Sequence, residues 1–154
     1  MEIRKVENES LCTEISTKIL DGLPKWFGIP ESTAEYIKES SKMPFWAAYD
    51  KEKVVGFVAL KQTSEHTSEI YVMGIDEGYH RNGIGKALFQ CCYNYCRENG
   101  VEFLQVKTID GASPDKNYAK TRKFYKAIGF KELECIPEIW GEYNPCLIMI
   151  MKIN

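Results

Sequence analysis

The spacing of hydrophobic and polar residues along the chain predicts four helices and seven strands in the order βααβββαβαββ. Residues 2–6 alternate between the two classes, which predicts a first strand. Helical spacing over residues 11–20 predicts a first helix that Gly22 closes. A second helix follows, and either Ser32 or Thr33 is expected to cap its start.

In the middle of the chain, the spacing of apolar residues changes from the pattern of strands to the pattern of a helix. Two apolar runs, residues 45–50 and 54–62, flank a charged turn and predict a hairpin. Residues 68–75 have the pattern of a further strand. From Gly83 onward the period is near 3.6, and Gly100 is expected to end that helix in a left-handed conformation.

The last third of the chain returns to strands around a short helix. Residues 101–109 predict the fifth strand, and residues 118–128 predict a helix that Gly129 closes. Residues 130–136 and 145–153 predict two final strands. Helices alternating with strands in this way indicate a mixed α/β layer architecture.

Composition narrows the class of protein. A length of 154 residues without repeats or linkers fits one domain, residues 1–154. The formal net charge is −2, with Lys and Arg scattered, so we expect no nucleic-acid partner. The first ten residues lack the apolar run of a signal peptide, and the longest apolar stretch, residues 146–151, is too short to cross a bilayer. We therefore expect a cytoplasmic protein with no membrane association.

The six cysteines do not have the spacing of a disulfide framework or a metal site. The chain has no Cys-x-x-Cys pair, and only His66 and His80 are available to complete a metal-ligand set. We therefore expect reduced, buried cysteines and no metal.

The stretch GYHRNGIGKALFQ, residues 78–90, joins a strand pattern directly to a helix pattern. The first N–H groups of a helix have no intrahelical partner and lie at the positive end of its dipole. Gly83 and Gly85 lack the side chains that would keep a phosphate away from those groups, and His80, Arg81 and Lys86 add positive charge. This combination predicts a site for a cofactor that carries pyrophosphate, although a tight turn before a helix has the same glycines.

Two familiar phosphate motifs do not fit this spacing. A P-loop requires a glycine where His80 stands and a Ser or Thr where Ala87 stands. The dinucleotide fingerprint requires a third glycine where Leu88 stands.

The segment SEIYVMGIDEGYHRNGIGKALF, followed downstream by FYKAIGF, resembles the GNAT superfamily of acetyl-CoA-dependent N-acetyltransferases. The resemblance covers roughly residues 54–130. It implies acetyl-CoA as the cosubstrate. It also implies a central, mostly antiparallel sheet of about seven strands that is splayed between the fourth and fifth strands, with helices on both faces.

The resemblance also implies which residues bind the cofactor. The family signature Gln/Arg-x-x-Gly-x-Gly/Ala reads here His80-Arg81-Asn82-Gly83-Ile84-Gly85, with His80 in place of the usual Gln or Arg. The amides from Arg81 to Lys86 are expected to hold the pyrophosphate. The backbone of Met73 and Ile75 is expected to pair with the pantetheine arm, and Gly74 between them suits a bulge.

Two residues are expected to act on protons. Tyr125 matches the tyrosine of the family element Tyr-x-x-x-Gly-Phe and would protonate the departing thiolate, although a tyrosine beside Phe124 is also an ordinary core residue. Glu69 lies where some members of the family have a catalytic glutamate, and an ordinary solvent-facing strand glutamate is the alternative. A primary amine has a pKa of about 10, so its deprotonation at neutral pH costs roughly 4 kcal/mol and a base lowers that cost.

Trp26, Trp140 and Tyr143 lie in two segments rich in aromatic and acidic residues, the second of which includes Glu138 and Glu142. Carboxylates attract a cationic amine and aromatic faces bind one, so these residues are candidates for the acceptor site, or else anchors that hold loops to the core.

The sequence therefore predicts transfer of an acetyl group from acetyl-CoA to a primary amine, with a small molecule as the acceptor. Acetylation of a protein N-terminus or lysine is an alternative, as is a non-catalytic module that binds acyl-CoA. A homodimer paired through the last strand and a central position of that strand in the sheet both remain open.

Overall fold

A computed structural model describes residues 1–141 and 143–154. The predicted order of helices and strands is confirmed over the part of the chain described. The elements are β1 (Glu2–Lys5), α1 (Glu9–Asp21), α2 (Pro30–Ser40), β2 (Phe45–Asp50), β3 (Lys53–Gln62), β4 (Thr67–Ile75), α3 (Ile84–Glu98), β5 (Phe103–Ile109), α4 (Lys116–Ile128), β6 (Lys131–Ile136) and β7 (Cys146–Lys152). Short 3₁₀ turns occupy Glu77–Tyr79 and Pro137–Ile139.

The strands form a seven-stranded, mostly antiparallel sheet in the order β1-β2-β3-β4-β5-β7-β6, with β4 parallel to β5. This confirms the predicted fold class. The chain divides into two compact units, and the boundary between them runs through β4. The first unit comprises Met1–Lys61 and Ile70–Tyr95, and the second comprises Gln62–Glu69 and Cys96–Asn154.

In the first unit, β2 pairs antiparallel with both β1 and β3. Its core consists of apolar residues of α1 packed with residues of β2, β3 and β4, among them Ile19, Leu20, Phe45, Phe57 and Val72. Asn8 caps α1 by accepting a hydrogen bond from the amide of Leu11. The apolar residues of α1 recur at helical spacing because one face of the helix is buried in this core.

In the second unit, β7 pairs antiparallel with β5 on one side and with β6 on the other. Because both edges of β7 are paired within the chain, this strand is not free to pair across a dimer interface. Of the two alternatives for the last strand, the structure selects the central position.

Two expectations about local structure are wrong. The helix α2 begins at Pro30 and not after a Ser32 or Thr33 cap, because Pro30 at the first helical position needs no amide partner. Ser32 therefore lies inside the helix, and the Thr33 hydroxyl donates to the carbonyl of Phe27. Cys135 is exposed, since it lies on the strand β6, whose residues are almost all exposed.

The other cysteines are free and are buried or partly buried, and Gly100 and Gly129 have the positive φ values expected of helix ends. No helix in the described ranges has the length and the apolar character to cross a membrane.

Candidate active site

The loop between β4 and α3 is built around a turn at Asp76. The Asp76 amide donates to the carbonyl of Val55 at 2.8 Å, which extends the strand pairing by one residue. Its side-chain Oδ1 accepts from the amide of Gly78 at 2.9 Å and so caps the 3₁₀ turn. The Tyr79 hydroxyl donates to Asp50 Oδ2 at 2.7 Å, and this hydrogen bond raises the pKa of the Tyr79 phenol. These contacts fix where the chain leaves the sheet.

His80 connects this turn to the end of β4. Its Nε2 lies 2.8 Å from the carbonyl oxygen of Ile75. Its ring meets the Trp26 indole edge to face, with centroids 5.5 Å apart. The ring therefore bonds to the strand end, while the carbonyl of Ile75 keeps a second lone pair for another donor. His80 therefore joins the loop to the end of β4.

The chain enters α3 through two residues in the left-handed region, Arg81 at φ 67° and Gly83 at φ 78°. The carbonyl of Gly83 accepts from the amide of Ala87, so the helix hydrogen bonding starts there. A Cβ built on Gly83 would meet nothing within 4 Å. Ile84 is buried, whereas Arg81, Asn82 and Lys86 are exposed, and Arg81 and Lys86 carry positive charge. The start of α3 is therefore an open, positively charged cradle that fits a phosphate group.

Gly74, near the end of β4, is required for packing against α1. A Cβ at this position would lie 2.9 Å from Ile19 Cγ2, 3.2 Å from Leu20 Cδ2 and 3.3 Å from Leu23 Cδ1. Glycine here lets the helix approach the strand closely.

Glu69 lies on β4 with only 5% of its surface exposed. One of its oxygens, Oε1, accepts from Gln105 Nε2 at 2.9 Å and pairs with Lys107 Nζ at 3.1 Å. A carboxylate this deeply buried needs compensating partners to remain charged, and these two donors supply them. Glu69 is therefore not the solvent-facing strand residue that was the alternative to a catalytic role.

Cys146 faces the same group of residues from β7. It is opposite Ile109 in the strand register, so its side chain lies on the face of β5 that carries Gln105 and Lys107. Burial raises the pKa of the Cys146 thiol to about 11, although Lys107 acts in the opposite direction. The thiol is thus neutral at physiological pH and is a poor nucleophile.

Among the residues described, no group of three or more His, Cys, Asp and Glu side chains is arranged to hold a metal ion.

Tyr125 lies near the end of α4 and is 6% exposed. Asp115 caps the start of this helix by accepting from the amides of Asn117 and Tyr118. The Tyr125 ring makes edge-to-face contacts with Phe124 and Phe130, with centroids 5.3 and 5.5 Å away. These contacts fix the plane of the phenol.

The aromatic candidates for the acceptor site differ in exposure. Trp26 is partly buried and packs on the core of the first unit. In the second unit, Trp140 is partly buried directly after the 3₁₀ turn Pro137–Ile139, whereas Tyr143 is 86% exposed. Glu142, an acidic residue of the same segment, lies outside the described residues. Tyr143 is thus the candidate with most of its surface available to a ligand.

The model of the Acetyltransferase (GNAT) family matches residues 14–130, which is most of the chain. The chain belongs to the GNAT acetyltransferase family. It is 27% identical over 112 residues to an uncharacterized N-acetyltransferase of Bacillus subtilis, YsnE, covering 73% of this chain and 71% of that protein. It is 31% identical over 81 residues to mycothiol acetyltransferase of Corynebacterium glutamicum, covering 53% of this chain and 27% of that longer protein.

A crystal structure of aminoglycoside 6'-N-acetyltransferase complexed with coenzyme A has the same fold as this GNAT chain. The TM-score is 0.75 at 20% identity, over 100% of this chain and 98% of the other.

The GNAT signature led to Glu69, Tyr125 and the glycine loop, but sequence reasoning missed Gln105 and Lys107. The signal available for them was their two-residue spacing on the fifth strand, which places both side chains on one face. Their importance depends on which residue of another strand they meet, and the spacing along one strand carries no information about that partner.

Proposed function

We propose that this GNAT protein transfers an acetyl group from acetyl-CoA to the primary amine of a small molecule, by direct attack of the amine on the thioester. The observation that carries the proposal is the start of α3, where Gly83 leaves an open and positively charged cradle in the position of the family signature. The family match supports acetyl-CoA as the cosubstrate, and so does the CoA-bound structural neighbour. The proposal treats residues 1–154 as one cytoplasmic acetyltransferase domain.

The residues of the loop would bind the cosubstrate. The amides from Arg81 to Lys86 would hold the pyrophosphate, because the first amides of a helix have no intrahelical acceptor. The exposed side chains of Arg81 and Lys86 would add electrostatic attraction. The backbone of Met73 and Ile75 would pair with the pantetheine arm. When bound, acetyl-CoA supplies an acetyl group activated as a thioester.

Glu69 would act as the general base, directly or through water. The acceptor amine arrives as an ammonium ion, and its proton would pass to the carboxylate before nitrogen attacks. Burial supports this role, because a carboxylate in a site of low dielectric attracts a cationic amine more strongly than one in water.

Tyr125 would act as the general acid. Breaking the C–S bond leaves a thiolate, and a phenol held in a fixed plane by Phe124 and Phe130 can donate its proton to that sulfur. A covalent route through Cys146 has no support, because burial keeps its thiol protonated.

The acceptor would lie against aromatic and acidic residues. The exposed ring of Tyr143 supports a contact with a cationic amine, with Trp140 and Trp26 as further candidates.

The proposal is tested by incubating the protein with acetyl-CoA and a panel of small amines, amino-terminal peptides and lysine peptides. Thiol release is measured and the acetylated product is identified by mass spectrometry. We expect at least one small amine to be acetylated, and we expect Glu69→Gln and Tyr125→Phe each to lower kcat by about a hundredfold. Turnover of peptides but of no small amine would show that the acceptor is a protein N-terminus or lysine and not a small molecule. Binding of acetyl-CoA without turnover of any amine would identify a binding module and overturn the proposal.

A further inference from the structure

We propose that Gln105 and Lys107 are positioning residues that hold one oxygen of Glu69 and present the other oxygen to the acceptor amine. This inference rests on the proposed role of Glu69 and adds the residues that orient its carboxylate.

Both contacts of Glu69 are made by the same oxygen. Gln105 Nε2 donates to Oε1 at 2.9 Å, and Lys107 Nζ lies 3.1 Å from that oxygen as well. Neither of these two contacts is to Oε2. An ionised carboxylate has about four lone-pair sites on two oxygens. The two donors therefore occupy Oε1 and leave Oε2 with its capacity to accept.

The unbound oxygen is not a sealed, unpartnered atom. Over the described part of the chain, Thr108 Oγ1 is the one fully enclosed side-chain polar atom without a hydrogen-bond partner, so Glu69 Oε2 does not belong to that class. The Glu69 side chain as a whole is buried, with 6% of its surface exposed. The carboxylate is thus bound through Oε1, and Oε2 is the oxygen that we assign to the acceptor amine.

The strand geometry explains why these two residues act together. Gln105 and Lys107 are two positions apart on β5, so both side chains stand on the same face of the strand. The side chain of Lys107 is 31% exposed, and its ammonium brings the opposite charge that a buried carboxylate requires. Cys146, on the same face, carries no charge at neutral pH because burial raises its pKa to about 11. Glu134 also lies on this face, since it pairs with Ile148, which is opposite Lys107. Lys107 is the cationic group that pairs with Glu69.

The test measures Glu69 directly, without an acceptor substrate. Protein labelled with ¹³C at the glutamate carboxyl carbon is studied by NMR at one fixed, neutral pH, and the Glu69 signal is identified by its loss in Glu69→Gln. We expect Lys107→Met to change the chemical shift of the Glu69 carboxyl carbon, because the variant removes the ammonium that lies 3.1 Å from Oε1. Lys107→Arg should keep most of the parent chemical shift. The control Lys126→Met removes a lysine from a half-exposed pair with Glu132 and should leave Glu69 unchanged.

Kinetics with an amine that the protein acetylates provide the second readout. We expect Lys107→Met to lower kcat about tenfold and to leave KM for acetyl-CoA unchanged. Gln105→Met, which keeps the volume and removes the donor, should lower kcat without altering the net charge. This variant also tests the proposal if Lys107→Met does not fold. An unchanged chemical shift of the Glu69 carboxyl carbon in Lys107→Met would overturn the proposal whether or not any amine is acetylated. Failure of the proposed function alone would leave the NMR shift intact.

Discussion

The indole of Trp26 meets the imidazole of His80 edge to face, with ring centroids 5.5 Å apart. This contact joins the segment after α1 to the loop before α3. Next to it, Lys25 Nζ lies 2.9 Å from Glu77 Oε2, so two neighbouring residues of one segment contact the other. Because His80 also bonds to the end of β4, one side chain connects the loop before α3 to a strand and to an aromatic candidate for the acceptor site.

Removing the His80 ring should loosen the loop that is proposed to bind the pyrophosphate. Loss of one hydrogen bond of about 1 kcal/mol predicts that His80→Ala binds CoA roughly three- to tenfold more weakly, as measured by calorimetry. His80→Gln restores a donor and the usual residue of the family signature, and it should bind nearly as tightly as the parent protein. Lys25→Met removes only an exposed ion pair and should change the affinity little. Equal affinity of His80→Ala and the parent would show that the ring does not support the loop.

The positive φ of Gly83 should make any other residue strained at this position. A left-handed conformation costs roughly 1–2 kcal/mol for a residue with a Cβ, so Gly83→Ala should lower the melting temperature by a few degrees. Gly100 provides a matched control, because its φ is 71° and a Cβ there also meets nothing within 4 Å. Thermal denaturation should show similar losses for the two variants. A Gly83→Ala protein as stable as the parent would contradict the left-handed start of α3.

Because β4 packs closely against α1, we expect the effects of substitutions at Gly74 and Ile19 on the free energy of unfolding to be strongly coupled. The added methyl group of Gly74→Ala would lie 2.9 Å from Ile19 Cγ2, and overpacking of this kind costs about 1–3 kcal/mol. The free energy of unfolding should be measured for Gly74→Ala, for Ile19→Ala and for the double variant. Because Ile19→Ala removes the clashing atom, Gly74→Ala should cost less in that background. Additive losses would mean that the two residues do not touch.

Cys146 should make stability fall at alkaline pH. Its pKa in the folded protein is raised to about 11 by burial, above the ordinary value of a thiol. A raised pKa contributes stability that is fully present below the pKa of the unfolded chain and is lost as the pH rises through that of the folded chain. We expect the free energy of unfolding to decrease between about pH 9 and pH 11 by on the order of 2 kcal/mol from this thiol. The slope should be smaller in Cys146→Ala, and an identical slope would exclude Cys146 as its source.

Periodicity predicted the elements of this chain well because the apolar faces are regular. Two helix ends were also predictable from glycines. Gly100 and Gly129 have positive φ values, which other residues avoid. The start of α2 was predicted three or four residues too late, because a hydroxyl cap and a proline at the first helical position compete for the same role. Local signals thus set the element order but not every boundary.

The candidate site was only partly predictable. The motif gave the loop from His80 to Lys86, because its chemistry is that of consecutive backbone amides at a helix start. The motif did not predict the contacts of Glu69 with Gln105 and Lys107, because they bring together a carboxylate on β4 and two donors on β5. It also did not give the bond from His80 to Ile75, which depends on how the loop folds back. Contacts between residues of different strands and turns depend on the complete fold, so a local sequence motif does not predict them.

The most direct test of the account is a calorimetric titration of acetyl-CoA and desulfo-CoA into the parent protein, Gly83→Glu and Gly100→Glu. The two glycines share a positive φ and open space, but only Gly83 lies at the start of α3. We expect micromolar binding by the parent and by Gly100→Glu, and loss of binding in Gly83→Glu, whose side chain would fill the cradle and bring a negative charge. No binding to the parent protein, or equal binding by Gly83→Glu, would contradict the assignment of this loop as the acetyl-CoA site.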